Sequence, residues 1–143
     1  MNLEKQKEHF KNHIATLTDY GNIKILDFKA PNTSAYRIRF LFEEDYCRLH
    51  ISGDLGELIA SNYYNMTYEK FSDYVNNTGY FEEKIDCHSR PIYVYDYSKA
   101  LEEINPDAWE FAGDIGKTET GILDLYMLAF RLAQEQLQNT GVC

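Results

Sequence analysis

Two cysteine–histidine pairs carry the residue types that ligate metal ions or act as nucleophiles. Cys47 and His50 stand three residues apart, and Cys87 and His88 are adjacent. Thiolate and imidazole are usual zinc ligands, and a cysteine beside a histidine base is a common nucleophile. In a straight strand, residues three apart point to opposite faces, so Cys47 and His50 cannot reach one ion without a bulge. His50, Cys87 and His88 therefore remain the candidates for a zinc site or for thiol chemistry.

Carboxylates form the second set of residues that could bind something. The chain has 23 acidic and 14 basic residues among 143, a formal charge of −9. This charge disfavours binding to a nucleic-acid backbone or an anionic membrane and favours attraction to a basic protein surface. We therefore expect a protein partner with a basic surface, no membrane association and no direct binding of nucleic acid.

Two acidic clusters are the predicted partner-binding residues. They are Glu43, Glu44 and Asp45, at the tip of a predicted hairpin, and Glu82, Glu83 and Asp86. Carboxylates placed where a nucleic-acid-binding protein expects phosphates would pair with its Arg and Lys side chains. The hairpin tip is favoured because it projects from the sheet and can enter a basic groove. Further acidic clusters lie at residues 102–103 and 107–114.

The strand pattern of residues 36–42 also predicts an arginine-bearing sheet face. If Ile38 and Phe40 face the core, Arg37 and Arg39 lie on the other face, with Arg48 of the next strand. Such a face can bind single-stranded nucleic acid by stacking and charge. In an acidic chain, we expect these arginines to pair with nearby Asp or Glu instead.

The pattern G-D-x-G occurs at residues 53–56 and again at 113–116. Glycine supplies positive φ and aspartate hydrogen-bonds nearby backbone, so both copies predict turns. Neither has the later ligands of a calcium loop or the G-K-[ST] of a phosphate-binding loop.

The remaining pattern predicts one α+β domain over residues 1–143. Segments 22–28, 36–42 and 46–52 and the short run after Gly56 predict an antiparallel meander of about four strands. Residues 91–97 are a candidate further strand. Residues 3–17 have apolar side chains at helical spacing, and residues 120–138 predict a long, buried C-terminal helix against one face of the sheet. The chain shows no signal peptide and no apolar run long enough to span a membrane, so we expect it in the cytoplasm.

One stretch resembles a known group. LHISGDLGELI, NMTYEKFSDYV and GYFEEKI, within residues 46–86, resemble a pattern in small phage- and prophage-encoded proteins of uncharacterised function. The resemblance implies a mobile-element origin, and small acidic phage proteins are often inhibitors of host defence, including anti-CRISPR proteins. We therefore expect a phage-encoded acidic inhibitor of the anti-CRISPR kind, acting on a Cas9-type nuclease in the host cytoplasm, with no enzymatic activity and no cofactor. The alternative is a small metal- or thiol-dependent enzyme, or a structural zinc protein, that uses Cys87, His88 and His50.

Overall fold

The computed structural model describes residues 2–95 and 117–139 of the protein. Its main feature is a six-stranded sheet in which each strand pairs antiparallel with the next along the chain. The strands are β1 (Ile14–Asp19), β2 (Ile23–Lys29), β3 (Ile38–Glu43), β4 (Arg48–Gly53), β5 (Leu58–Ser61) and β6 (Ile85–His88). Two short strands, β7 (Tyr93–Tyr95) and β8 (Lys117–Glu119), form a separate antiparallel pair.

Four described helices accompany the sheet. They are α1 (Leu3–His9), α2 (Ser72–Val75), α3 (Thr78–Glu82) and α4 (Ile122–Asn139). The predicted α+β class, the antiparallel meander and the long C-terminal helix are confirmed. The acidic clusters at residues 102–103 and 107–114 and the second G-D-x-G lie outside the described residues.

The predicted number of strands, about four, was wrong. The helical spacing of Phe10, Ile14 and Leu17 extends the predicted helix of residues 3–17 over residues that instead belong to β1. On this strand Ala15 and Leu17 point to the core with a period of two, opposite Phe28 and Leu26 of β2. The helix ends at His9 instead, and residues 85–88, where the sequence pattern predicts no strand and favours a loop at Cys87 and His88, form β6.

The core lies between one face of the sheet and α4. Phe40 and Phe42 of β3 are fully buried and meet Phe130 of α4, with ring centroids 5.4 and 6.2 Å apart. Phe71 packs against the same Phe130 ring at 4.7 Å. Since each fully buried side chain of this size contributes about 1.5–3 kcal/mol, this aromatic cluster is a major part of the stability.

The first G-D-x-G is a turn between β4 and β5, as predicted. Gly53 and Gly56 have φ of 128° and 114°, which side-chain-bearing residues rarely adopt. A Cβ on Gly53 would lie 2.3 Å from the Arg37 carbonyl oxygen. The Asp54 carboxylate accepts a hydrogen bond at 3.0 Å from the Tyr36 backbone N–H, so it ties this turn to the start of β3.

The other face of the sheet is open over the described residues. Its side chains, which include Ile25, Leu41, His50 and Ile59 in one central row, are half-buried or exposed. Among the helices within residues 2–95 and 117–139, none has both the length and the apolar composition needed to cross a bilayer.

Candidate partner-binding surface

Three connections meet at one end of the sheet because of the antiparallel register. Ile23 lies opposite Glu43, Glu43 opposite Arg48, and Arg48 opposite Ser61. Residues 20–22, 44–47 and 62–64 therefore all project from the same end. Backbone hydrogen bonds join them, from Glu44 N–H to the Asn22 carbonyl at 2.7 Å and from Asn62 N–H to the Cys47 carbonyl at 3.1 Å.

These connections expose four tyrosines. Tyr20, Tyr46, Tyr63 and Tyr64 are 70%, 68%, 97% and 60% exposed, and together they define what we call the tyrosine end. With strands about 4.8 Å apart, the connections spread over about 17 Å, the width of a protein-contact patch. Tyrosine is enriched at protein interfaces, since its ring provides apolar area and its hydroxyl hydrogen-bonds.

The loop that carries Tyr63 and Tyr64 is held in place by a buried polar network. The Asn62 side-chain amide donates to Asn65 Oδ1 at 2.7 Å and to the Tyr74 and Tyr80 hydroxyls at 2.8 and 3.1 Å. Asn65 is 1% exposed, and its amide also donates to Asp73 at 3.2 Å. The loop is thus fixed by several bonds, so binding through its tyrosines would require little ordering of the backbone.

The hairpin-tip carboxylates do not all face solvent. Glu43 receives a hydrogen bond from the His50 ring. Glu44 binds the Lys24 ammonium at 2.8 Å and accepts from the Tyr68 backbone N–H at 2.9 Å. The hydrogen bond to Glu44 raises the pKa of Lys24, with smaller contributions from other carboxylates nearby. Of this cluster only Asp45 is exposed, and it has no bonded partner among the described residues.

The second acidic cluster is also divided. Glu82 accepts a hydrogen bond from the Tyr93 hydroxyl at 2.7 Å, and Asp86 accepts one from the Ser61 hydroxyl at 2.8 Å. Glu83 is exposed, and its carboxylate makes no hydrogen bond or ion pair within the described part of the chain. Through the pairing of β3, β4 and β5, Asp86 reaches the same row of the open face as Glu43, with Arg48 and Ser61 between them. One carboxylate of each predicted cluster, Glu43 and Asp86, therefore lies in this row.

The zinc candidates are not brought together. His50 lies opposite Ile59 on β5, and Ile59 lies opposite Cys87 on β6, so a strand separates the two ligands by about 10 Å. Zinc requires both within about 2.3 Å of the ion. His88 Nδ1 lies 2.7 Å from the Arg90 carbonyl oxygen. Among the described residues, no group of three or more His, Cys, Asp and Glu is positioned to hold a metal ion.

The arginines on the open face follow the predicted alternation. Arg39 on β3 and Arg48 on β4 are exposed, as is Arg37, which directly precedes β3, and their neighbours Ile38, Phe40 and Leu49 are buried. Arg39 forms a bidentate pair with Asp27, at 2.7 and 3.1 Å, and this contact raises the pKa of Arg39. Arg48 lies over the Tyr46 ring at 5.8 Å. The expected pairing with an acidic neighbour is thus found for Arg39.

The tyrosine end was missed in the sequence. The sequence pattern assigns Tyr46 to the strand of residues 46–52 and predicts no role for Tyr20, Tyr63 and Tyr64. A signal was present, since all four stand beside Asp, Gly or Asn in connections between strands. Tyrosines in such positions cannot all reach a core that the strands already fill.

Comparisons of the chain with models of protein families, with curated protein sequences and with solved structures give no match.

Proposed function

We propose that this protein is a phage-encoded acidic inhibitor that binds a basic surface of a Cas9-type nuclease and carries out no reaction of its own. The observation that supports this proposal best is the tyrosine end, where four exposed aromatic rings lie beside unpaired carboxylate charge. The sequence resemblance to small phage proteins and the charge of −9 point to the same class.

The tyrosine end matches what a basic partner would require. Asp45 is exposed within the same turn as Tyr46, and Glu69 is exposed in the segment that follows Tyr64. Both carboxylates can form charge-assisted hydrogen bonds with arginine or lysine. The neighbouring tyrosine rings provide apolar area and cation–π contacts for the same side chains. A nuclease groove that binds a phosphate backbone presents these cations.

A cleavage assay tests the proposal directly. Target DNA is cut by the guide-loaded nuclease in the presence of increasing amounts of this protein, and we expect stoichiometric inhibition. The double variant Tyr46→Ser/Tyr63→Ser should weaken inhibition at least tenfold, because interface tyrosines are common hot spots. Tyr95→Ser is the matched control, since Tyr95 is also 67% exposed but lies on β7.

Charge is tested separately from the rings. Asp45→Lys should slow association, and its effect should shrink at high salt, because exposed charges are screened. Inhibition that withstands both the tyrosine variant and Asp45→Lys would reject the tyrosine end as the contact surface. Uninhibited cleavage by the whole range of Cas9-type nucleases would reject this target.

A further inference from the structure

A groove of about 380 Å³ lies on the open face of the sheet, toward the end opposite the tyrosine end. The pairing of Asp27 with Arg39, and of Arg39 with Ser52, places side chains of three strands across it. Its lining is polar and consists of Asp27, Lys29, Arg37, Arg39, Ser52, Gly53 and Glu57. Three of these seven residues are cations, in a protein whose overall charge is −9.

The charges in this groove are not all compensated. The bidentate contact with Arg39 neutralises Asp27 and fixes the orientation of the guanidinium. Lys29 and Arg37 are exposed and form no ion pair with any described carboxylate. Glu57 is the one carboxylate of the lining without a cation at ion-pair distance in the described part of the chain. Two free cations therefore face one free carboxylate.

The groove also has a free hydroxyl between its charged walls. Ile51, the residue before Ser52 on β4, is buried in the core. Because side chains alternate along a strand, the Ser52 side chain lies on the open face. The Ser52 hydroxyl makes no hydrogen bond to another described residue. A guanidinium, an ammonium and a hydroxyl donor thus converge on one volume, and phosphate oxygens are the acceptors that such a set suits best.

We propose that this groove binds the phosphate group of a small phosphorylated molecule of nucleoside monophosphate size. Arg37, Lys29 and Ser52 contact the phosphate, and Glu57 accepts a hydrogen bond from a hydroxyl group of the same ligand. The volume lies at the lower end of the range of small-molecule sites, about 300–1,000 Å³, which suits one such molecule. A polymeric nucleic acid fits less well, because its further phosphates would meet Glu57 and the acidic remainder of the protein. The proposal does not depend on inhibition of a nuclease, since the groove and the tyrosine end share no residue.

Calorimetric titration of the full chain with adenosine monophosphate and with inorganic phosphate, at low salt, tests the proposal. We expect both to bind and adenosine monophosphate to bind more tightly, since Glu57 then has a hydroxyl partner. Arg37→Gln should weaken both at least tenfold, and Ser52→Ala less. Arg131→Gln, which changes an exposed arginine of α4 outside the groove, should bind as the wild type does. Circular dichroism checks that each variant is folded.

Three outcomes would overturn the proposal. One is that millimolar adenosine monophosphate gives no heat of binding with the folded wild type and does not raise its stability against unfolding. Another is equal weakening by Arg37→Gln and Arg131→Gln, which would show a general charge effect. The third is tighter and steeply salt-dependent binding of a single-stranded oligonucleotide, which would assign the face to a polymer instead.

Discussion

The His50 imidazole hydrogen-bonds the Glu43 carboxylate across the β3–β4 pair. The sequence makes His50 a zinc candidate and Glu43 a phosphate-mimicking carboxylate. In the structure the His50 ring nitrogen that could bind zinc and the Glu43 oxygen that could bind a partner's cation are bonded to each other. Both side chains are about a quarter to a third exposed, 32% for His50 and 26% for Glu43. Because each side chain already has the other as its hydrogen-bond partner, this contact favours a structural role for both residues in the sheet.

The two neighbouring carboxylates Glu44 and Asp45 of the hairpin tip should contribute differently to stability. Glu44→Gln removes the counter-charge of Lys24, and both side chains are only 16% exposed. We expect a loss of about 1–3 kcal/mol in the free energy of unfolding, since a mostly buried ammonium is left unpaired. Asp45→Asn, one residue away and exposed, should change it by no more than about 0.5 kcal/mol. Urea unfolding followed by circular dichroism measures both, and equal losses would contradict this assignment.

Local patterns were sufficient for the fold class but not for the sheet edges. The alternation in residues 36–42 and 46–52 and the apolar stripe of residues 120–138 identified β3, β4 and α4. Phe10, Ile14 and Leu17 fit a 3.6-residue period and so favour a helix, but the residues of β1 that face the core are Ala15 and Leu17, and the pairing of β1 with β2 decides for the strand period. Strand preference depends strongly on such tertiary context.

The contacts within the candidate site could not be predicted from the sequence, because they too depend on which strands pair. Glu43 meets His50 only because β3 and β4 pair in one register, which a single sequence does not state. The separation of His50 from Cys87 likewise depends on β5 lying between their strands. The common end shared by Tyr20, Tyr46 and Tyr63 follows from the same topology. Residue types could be read from the sequence, and distances between them could not.

Gln136 should protect the edge of β1. Its side chain accepts from the Ala15 backbone N–H at 2.6 Å and donates to the His13 carbonyl at 2.8 Å, as a neighbouring strand would. Gln136→Ala should lower the free energy of unfolding by about 1–2 kcal/mol, since both bonds are lost. It should also increase self-association, because open strand edges pair with other chains.

Gln138→Ala is the matched control for the β1 edge, since Gln138 is exposed on the same helix. Urea unfolding gives the stability, and light scattering after size exclusion, over a range of concentrations, gives the association state. If Gln136→Ala matches Gln138→Ala in both measurements, the side chain does not act as an edge cap.

The buried phenol of Tyr126 should make the fold sensitive to alkaline pH. Tyr126 is 1% exposed and donates a hydrogen bond to the Leu55 carbonyl at 3.0 Å. Burial raises its pKa to about 12, and the nearby Arg90 charge opposes this shift. In the unfolded chain a tyrosine releases its proton near pH 10, so the folded state holds more protons between about pH 10 and 12. Stability is therefore complete below about pH 10 and falls as the pH rises toward about 12, by about 2–3 kcal/mol for this group.

Tyr126→Phe isolates this contribution. At pH 7 the variant should be less stable by about 1 kcal/mol, because the bond to Leu55 is lost. Between about pH 10 and 12 its stability should fall less steeply than that of the wild type, since the group that titrates is gone. Tyr74, whose pKa burial also raises to about 12, remains in the variant, so some alkaline loss persists. Urea unfolding at pH 7 and at several values above pH 10 compares the two proteins, and parallel curves across the alkaline range would refute the assignment to Tyr126.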